Sequence, residues 1–556
     1  MTMHTAKQIP PTSKSSHCIT RWLGRLLIVN LLASGSNSFG VEVPAEPFAN
    51  PHLAHSAYSV THGRANFTPI AGPTGPGHRL SDDEIAWQPV GPANGSMLMY
   101  SSPYPDGKKV IWLGGYDRIS KLDADTFEVL TSYGIGGTQL ITETEAKHRV
   151  ATLDNLEDSQ IMGYIKSIWM EPFLSLPSWY RLLSDKNELF MGYRAPDGSM
   201  SIRAYTETDH TDPSSPIYLA REWKLHSNSG TIFGMQMTHD GMIALVTQDG
   251  TLTVLSQDFS QHYSLKLEPQ DKGKINTNDF FNSYVRNGLA TDDTGGIYVV
   301  TRDNMNRIQW QGNGLSQKTV DGAWSAPYPN EQGIGSGTTP SLMGWGDKED
   351  HLVIIADGTR GNNMLAFWRD EIPRNWRGIK GLDRRIAGNT PVNFGLESNK
   401  PAQIENSIIV KGYSAFLNNT NPVTKLPDQG NGGIQWLLES YYMHVPGHEA
   451  KGGTQIRWDS KSRKLSTAWN NQTNFVSSVC TISGATEILY CWGNRNREWT
   501  LEGINWETGE NAFHYTLGKS QRYNVFGGPI IVAPNGAIDC ACHGGMGIIR
   551  ITPKPE

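Results

Sequence analysis

Charge is scarce in this sequence, and no stretch of it is strongly basic. Only 18% of the 556 residues are Asp, Glu, Lys or Arg, and the net charge is −6. Proteins that hold a nucleic-acid backbone need clustered Lys and Arg side chains. We therefore expect no nucleic-acid partner.

The chain also lacks an apolar run near its start that is long enough to cross a bilayer, which takes ~20 residues. The short apolar segment 26–33 follows Arg21 and Arg25 and precedes the small residues 34–36. This layout is typical of a secretory signal. We assign residues 1–40 to a signal peptide and predict a secreted protein without membrane attachment after cleavage. An uncleaved anchor is the alternative.

Cysteine is rare, with five in the chain, and Cys18 falls in the predicted signal. The other four, Cys480, Cys491, Cys540 and Cys542, form an even set that is typical of two disulfides in an oxidising compartment. Cys480 and Cys491 flank a turn at 483–486 and could face each other across a hairpin. The alternative pairing joins these two cysteines to Cys540 and Cys542. No His/Cys set at zinc spacing accompanies them.

Four Asn-x-Ser/Thr sequons agree with export. They predict glycans on Asn66, Asn94, Asn418 and Asn471.

Glycine and aromatic residues are abundant, with 58 Gly, 17 Trp, 20 Tyr and 16 Phe. Together with the low charge, this composition suits many short strands joined by tight turns. The stretch 333–358 shows the pattern, because a Gly/Ser segment leads into an apolar run, a polar turn and the strand-like segment 352–356. The pattern returns every ~40–55 residues, with four strands in each unit.

This period predicts an all-β fold: a single β-propeller of seven blades, with eight possible. We assign 41–85 to an extended N-terminal arm and 86–556 to the propeller domain. The final strand, 547–551, is predicted to close the ring by pairing with a strand from 87–115. Residues 142–166 are rich in Glu, Ala, Lys and Leu, and they predict a helical insertion near 140–185.

Several segments resemble secreted quinoprotein-like (PQQ-repeat-like) β-propeller proteins: GSGTTPSLMG, LVIIADG, QIENSIIV, INWETGE and APNGA. The resemblance covers roughly 225–552 and implies a propeller fold. It does not imply a quinone cofactor. Quinoprotein dehydrogenases carry a vicinal Cys-Cys, and this chain has Cys540-Ala541-Cys542.

Residues that precede the first strand of each propeller blade converge on one mouth of the channel, where ligands usually bind. This rule selects polar residues of which Glu405 is the only acid. The amides and hydroxyls are Asn287, Thr338, Thr339, Asn406, Asn474 and Asn524. Glu405 is the candidate general base or metal ligand. With Asn287 and Asn524 it could hold a divalent cation such as calcium. Alternatively, these side chains only cap the ends of strands.

The resulting hypothesis is a monomeric, secreted enzyme that acts on a small organic molecule or sugar. The chemistry would be acid/base or metal-assisted, of lactonase, isomerase, cyclase or lyase type. Lactonase-type propellers use a similar cluster of one acid with amides. A non-catalytic binding module is the alternative, and a quinone-dependent dehydrogenase ranks below both. His444 and His448 are predicted to lie in an exposed loop, because Pro446 and Gly447 separate them.

Overall fold

Short strands joined by tight turns dominate the protein, which is mostly β as the sequence predicts. The computed structural model describes residues 48–54, 67–91, 93–136, 140–174, 178, 180–226, 230–267, 283–396, 404–430, 432–476, 478–525, 527–542, 544 and 546–554. These residues belong to one unit, Pro44–Glu556. The predicted signal peptide, 1–40, and Asn66 lie outside the described residues. No helix among the described residues is long and apolar enough to span a membrane.

Two strands precede the repeating part of the chain, β1 (Phe67–Thr68) and β2 (Ile85–Gln88). The strands that follow form antiparallel meanders, which we number in chain order. Meander 1 contains β3 (Ala93–Tyr100), β4 (Val110–Gly115), β5 (Arg118–Asp123) and β6 (Val129–Gly134). Meander 2 contains β7 (Arg181–Leu183), β8 (Leu189–Arg194), β9 (Met200–Glu207) and β10 (Ile217–Lys224). Meander 3 contains β11 (Ile232–Met237), β12 (Ile243–Thr247), β13 (Thr251–Leu255) and β14 (His262–Lys266).

The middle of the chain repeats this arrangement. Meander 4 contains β15 (Leu289–Thr291), β16 (Gly296–Val300), β17 (Asn304–Trp310), β18 (Leu315–Ser316) and β19 (Trp324–Pro327). Meander 5 contains β20 (Ser341–Met343), β21 (Leu352–Ala356), β22 (Asn363–Trp368) and β23 (Ile386–Pro391). Meander 6 contains β24 (Ile409–Lys411), β25 (Ser414–Asn418), β26 (Ala450–Asp459) and β27 (Lys464–Phe475).

Meander 7 contains β28 (Thr481–Ser483), β29 (Ile488–Arg495), β30 (Glu498–Asn505) and β31 (Asn511–Gly518). It shares one sheet with meander 6, because Phe475 of β27 pairs with Gly493 of β29. Meander 8 contains β32 (Ile530–Val532), β33 (Ile538–Cys542) and β34 (Gly547–Ile551), and β2 is its fourth strand.

Successive meanders contact one another through their first strands: β7 with β11, β11 with β15, β20 with β24, β24 with β28, and β28 with β32. Meander 8 returns to meander 1, because β33 contacts β3. In meander 3 the first strand, β11, is buried along its whole length, whereas the fourth strand, β14, alternates between exposed and half-buried residues. Radial repetition around an axis, the architecture of a β-propeller, accounts for this cyclic order.

The ring is closed by β2 and by a buried ion pair. Ile85 pairs with Ile551 and Trp87 with Ile549, so the partner of the final strand begins two residues before the predicted segment 87–115. Arg550 in β34 donates from Nε to Asp539 Oδ1 at 2.8 Å, and from Nη2 to the hydroxyl of Tyr100 in β3 at 2.9 Å. Tyr100 also donates to Asp539. These bonds join the last meander to the first.

Among the described residues, three α-helices lie in the connections between strands. The predicted insertion contains α1 (Glu143–Asp154) and α2 (Asp158–Leu174), between β6 and β7. Thr142 caps α1, because its hydroxyl accepts the Glu145 N–H at 3.1 Å. The sequence analysis missed α3 (Gly432–Ser440), which lies between β25 and β26. Apolar residues of the three helices pack in one buried cluster.

One disulfide forms, and it joins Cys480 to Cys491 across the β28–β29 hairpin. The prediction of a second disulfide is wrong, since Cys540 and Cys542 are free thiols in β33. Cys540 and Cys542 are two residues apart on one strand, so their side chains face the same side of the sheet. Both sulfurs pack in an apolar cluster to which Cys480 and Cys491 do not belong. Burial raises the pKa of both thiols.

Two of the predicted glycan positions are unsuitable for a surface sugar. Asn418 is fully buried, and its Nδ2 donates to the Val476 carbonyl at 3.3 Å. Asn471 is buried and donates to the Gly509 carbonyl at 2.8 Å. A glycan on either nitrogen would replace a hydrogen bond in the interior. Asn94 belongs to β3, and its side chain lies outside the described part of the structure.

Candidate functional site

A cavity of about 270 Å³ lies where the connections before β15, β20 and β24 meet helix α3. The connection before each of these first strands supplies wall residues, as the sequence analysis predicted for a ligand site. Its ionisable lining residues are Arg286, Glu405, Lys425 and Glu439. Amides and one indole complete much of the wall: Gln332, Asn362, Asn421, Gln435 and Trp436.

Glu405 lines this cavity and forms a buried ion pair with Arg286. Arg286 donates from Nη1 to Glu405 Oε2 at 2.7 Å, and its other nitrogens donate to the Ile334 and Gly335 carbonyls at 3.0 and 3.1 Å. Gly337 makes room for the carboxylate, since a Cβ there would fall 2.6 Å from Glu405 Oε2. The sequence analysis missed Arg286, although it directly precedes Asn287.

Glu439, the second carboxylate of the cavity, was also missed. It lies in the last turn of α3 and is buried, and its Oε1 accepts the Gln435 amide at 2.7 Å. Burial raises the pKa of Glu439, and the positive charge of Lys425 opposes that rise. The two acids of the cavity therefore differ in their surroundings: Glu405 faces a guanidinium, and Glu439 has an amide as its hydrogen-bond partner and a pKa that burial raises.

Asn287 and Thr339 form hydrogen bonds with the hydroxyl of Tyr180, which belongs to a different meander. The hydroxyl of Tyr180, just before β7 of meander 2, donates to Asn287 Oδ1 of the connection into meander 4 at 2.5 Å. It also lies 3.1 Å from Thr339 Oγ1, before β20 of meander 5. Asn287 Oδ1 accepts the Thr339 hydroxyl at 2.7 Å as well, and its Nδ2 donates to the Gly337 carbonyl. Burial raises the pKa of Tyr180 to about 12, so the phenol stays protonated.

Of the predicted residues, Glu405 lines this cavity, and Asn287, Thr339 and the others do not. Thr338 is buried and accepts the Ala356 N–H at 3.1 Å, which fixes the backbone of meander 5. Asn406 donates to the Ser478 carbonyl at 2.9 Å, between meanders 6 and 7. Asn524 donates to Gln521 at 3.1 Å, before meander 8, and Asn474 is half-buried in β27. Of the predicted set, the structure brings Glu405, Asn287 and Thr339 together around Gly337.

Calcium held by Glu405, Asn287 and Asn524 stays a prediction, and one observation on each of these three residues counts against it. Arg286 already places a positive charge on Glu405. Asn287 Oδ1 accepts from Tyr180, Thr339 and the Gly288 N–H, while Asn524 belongs to another connection. Calcium prefers six to eight oxygen ligands, several of them carboxylates. Across the described part of the chain, no group of three or more His, Cys, Asp or Glu is placed to hold a metal ion.

His444 is buried, in contrast to the predicted exposed loop. It follows α3, and its ring stacks on Trp499 at a centroid distance of 5.4 Å and an angle of 25°. Burial lowers the pKa of His444 to about 4, so the imidazole is neutral at physiological pH.

No family model matches the chain. A protein of Archaeoglobus fulgidus, described only as "Uncharacterized protein", is 31% identical over 455 residues, which cover 79% of this chain and 77% of that one.

Solved structures with similar features include BamB from Moraxella catarrhalis, at 10% identity over 66% of this chain and 88% of that chain, with a TM-score of 0.34. A putative 6-phosphogluconolactonase from Bacteroides fragilis is 12% identical over 77% of this chain and 96% of that chain, with a TM-score of 0.38. Sqt1 from Chaetomium thermophilum is 9% identical over 64% of this chain and 77% of that chain, also with a TM-score of 0.38. At these scores the likenesses carry no argument about function.

Proposed function

The chain belongs to the same family as the Archaeoglobus fulgidus protein, and for its cavity we propose an enzymatic function. The protein is a secreted propeller enzyme that acts on a small, neutral, hydroxyl-rich molecule by general acid–base catalysis. Its eight meanders are eight blades around one axis. The Cys480–Cys491 disulfide supports an oxidising, extracytoplasmic compartment.

The observation that carries this proposal is the pair of carboxylates with unlike surroundings in one cavity. Two acids whose environments differ are the usual basis for assigning an acid and a base. Glu439, whose pKa burial raises, is the general acid. Glu405, paired with Arg286 at 2.7 Å, is the general base.

The nature of the substrate follows from the wall of the cavity. Of its four ionisable residues, Arg286 and Glu405 neutralise each other and Glu439 is the protonated acid, so Lys425 gives the lining its net charge, and a neutral, polar ligand is compatible with it. The amide side chains of Gln332 and Asn362 bring both donor and acceptor groups for hydroxyls to the wall. Trp436 offers an apolar face to the carbon side of a ring. A monosaccharide, a cyclitol or a sugar lactone combines these properties.

The test is turnover and binding with a panel of aldoses, cyclitols and sugar lactones, followed by proton NMR. We expect the wild type to convert at least one compound. Glu439→Gln and Glu405→Gln should each lower kcat by ~10²–10⁴, the usual contribution of one general acid or base. Glu371→Gln is the matched control, because Glu371 is exposed and does not line the cavity.

Other outcomes would contradict the proposal in distinct ways. Full activity in Glu439→Gln, with the fold intact by circular dichroism, would remove the assigned acid. Binding of a sugar without conversion by the wild type would make the protein a binding module that uses the same cavity. Failure of every compound to bind would remove the substrate class.

A further inference from the structure

Arg181, the first residue of β7, is a buried cation that has no counter-charge among the described residues. Its side chain is 1% exposed, and its Nε and Nη1 atoms have no hydrogen-bond partner in that part of the chain. Within the described residues, the groups that interact with its charge are two phenols, Tyr116 and Tyr205, rather than a carboxylate.

Three other buried cations of the described residues are neutralised at close range. Lys121 lies 2.6 Å from Glu207, Arg286 lies 2.7 Å from Glu405, and Arg550 lies 2.8 Å from Asp539. Arg181 differs from all three, because the described groups that interact with its charge are phenols and not a carboxylate. An unpaired charge in a protein interior is costly, and such charges are normally paired or bind an ion.

The surroundings of Arg181 are shaped around its guanidinium. Gly114 in β4 leaves the necessary space, since a Cβ there would fall 2.4 Å from Arg181 Nε. Tyr116 lies in the turn between β4 and β5, and Tyr205 lies in β9. Burial raises the pKa of both phenols, for Tyr205 to about 12, so neither supplies a negative charge at physiological pH. Meanders 1 and 2 thus enclose one positive charge among neutral groups.

We propose that Arg181 binds a compact monovalent anion between meanders 1 and 2. The anion is chloride or the carboxylate group of a small organic acid. This site is separate from the cavity of Glu405 and Glu439, because Arg181 does not line that cavity. The bound anion supplies the counter-charge that the described residues lack, and it stabilises the contact between the two meanders.

The test is urea unfolding of the full chain at constant ionic strength, in which chloride or acetate replaces a bulky sulfonate. A ligand that binds the folded state raises the unfolding midpoint as its concentration rises. We expect this rise in the wild type and in Arg360→Met, an exposed arginine that serves as the matched control. Arg181→Met should lose it. A response to chloride alone identifies a halide site, and a response to acetate alone identifies a carboxylate site.

An equal response in Arg181→Met and the wild type would overturn the proposal, as would no response in the wild type. If Arg181→Met does not fold, wild-type crystals soaked in bromide and in acetate replace it. An anomalous bromide peak, or acetate density, within hydrogen-bond distance of Nε or Nη1 supports the site. A water molecule there in both soaks overturns it.

Discussion

At the scale of single residues, the chemistry of the cavity depends on partners that are distant in sequence. Glu405 could be selected because it is the one acid in the set of residues predicted to lie just before first strands. Its partner Arg286 lies 119 positions earlier in the sequence. The ion pair forms because the connections before meanders 4 and 6 meet at the same cavity. Glu439 could not be selected, since the helix that carries it was not predicted. Buried polar partners of this kind are set by tertiary contacts rather than local patterns.

His444 gives a prediction of pH dependence. Its pKa is lowered to about 4 in the folded protein, while the ordinary value is ~6.5. Between these values the unfolded chain binds a proton that the folded protein does not, so stability falls as the pH falls. The full effect is roughly 3 kcal/mol at ~1.4 kcal/mol for each pH unit. In His444→Leu, urea unfolding at several pH values should show a flatter profile from pH 6.5 to 4.

The exposed His210 offers the comparison for this measurement. The variant His210→Gln should keep the wild-type slope. An unchanged slope in His444→Leu would mean that the imidazole is protonated in the folded state, contrary to its burial against Trp499.

At the scale of elements, local signals found α1 and missed α3 for a physical reason. The α1 segment has a capping Thr142 and several strong helix formers, and its polar face remains in solvent. The α3 segment is buried over much of its surface, and the run Trp436-Leu437-Leu438 is apolar on consecutive positions. A helix that is buried on several sides lacks the amphipathic period that identifies helices in a sequence.

The hairpin of β28 and β29 gives the second prediction. Its disulfide closes a loop with a sequence separation of 11 residues. By the loop-entropy relation such a cross-link stabilises the folded state by about 3 kcal/mol. The double variant Cys480→Ala, Cys491→Ala should lose an amount of this order in urea unfolding. Reduced wild-type protein should resemble it.

Cys540→Ala serves as the reference for lost sulfur packing, because Cys540 is buried but not cross-linked. A double variant that is no less stable than Cys540→Ala would show that the cross-link contributes nothing.

At the scale of the whole molecule, the repeated pattern of turn and strand was enough to predict a ring. It left the number of blades open, at seven or eight. Meanders 6 and 7 share one sheet, so the boundary between them is not marked by a break in pairing. The fourth strand of meander 8 is formed by residues 85–88. A count of strands in sequence order therefore finds only three strands in this last meander.

Closure of the ring gives the third prediction. Asp539 is fully buried and neutralises Arg550, which also bonds to Tyr100 and to the Ala124 carbonyl of meander 1. Asp539→Asn keeps the shape but leaves a buried guanidinium without its counter-charge. We expect a loss of ~3–5 kcal/mol in urea unfolding, as for other broken buried pairs. Asp106→Asn is the control, since its partner Lys108 is exposed. Equal stability of the two variants would show that the pair does not hold the ring closed.

The pairing of β2 with β34 also constrains biosynthesis. Ile85 leaves the ribosome long before its partner Ile551. Throughout elongation the nascent chain therefore carries an incomplete circle with apolar strands at both open ends. Such intermediates are prone to aggregation, so the apolar strand ends are at risk until β34 has paired with β2.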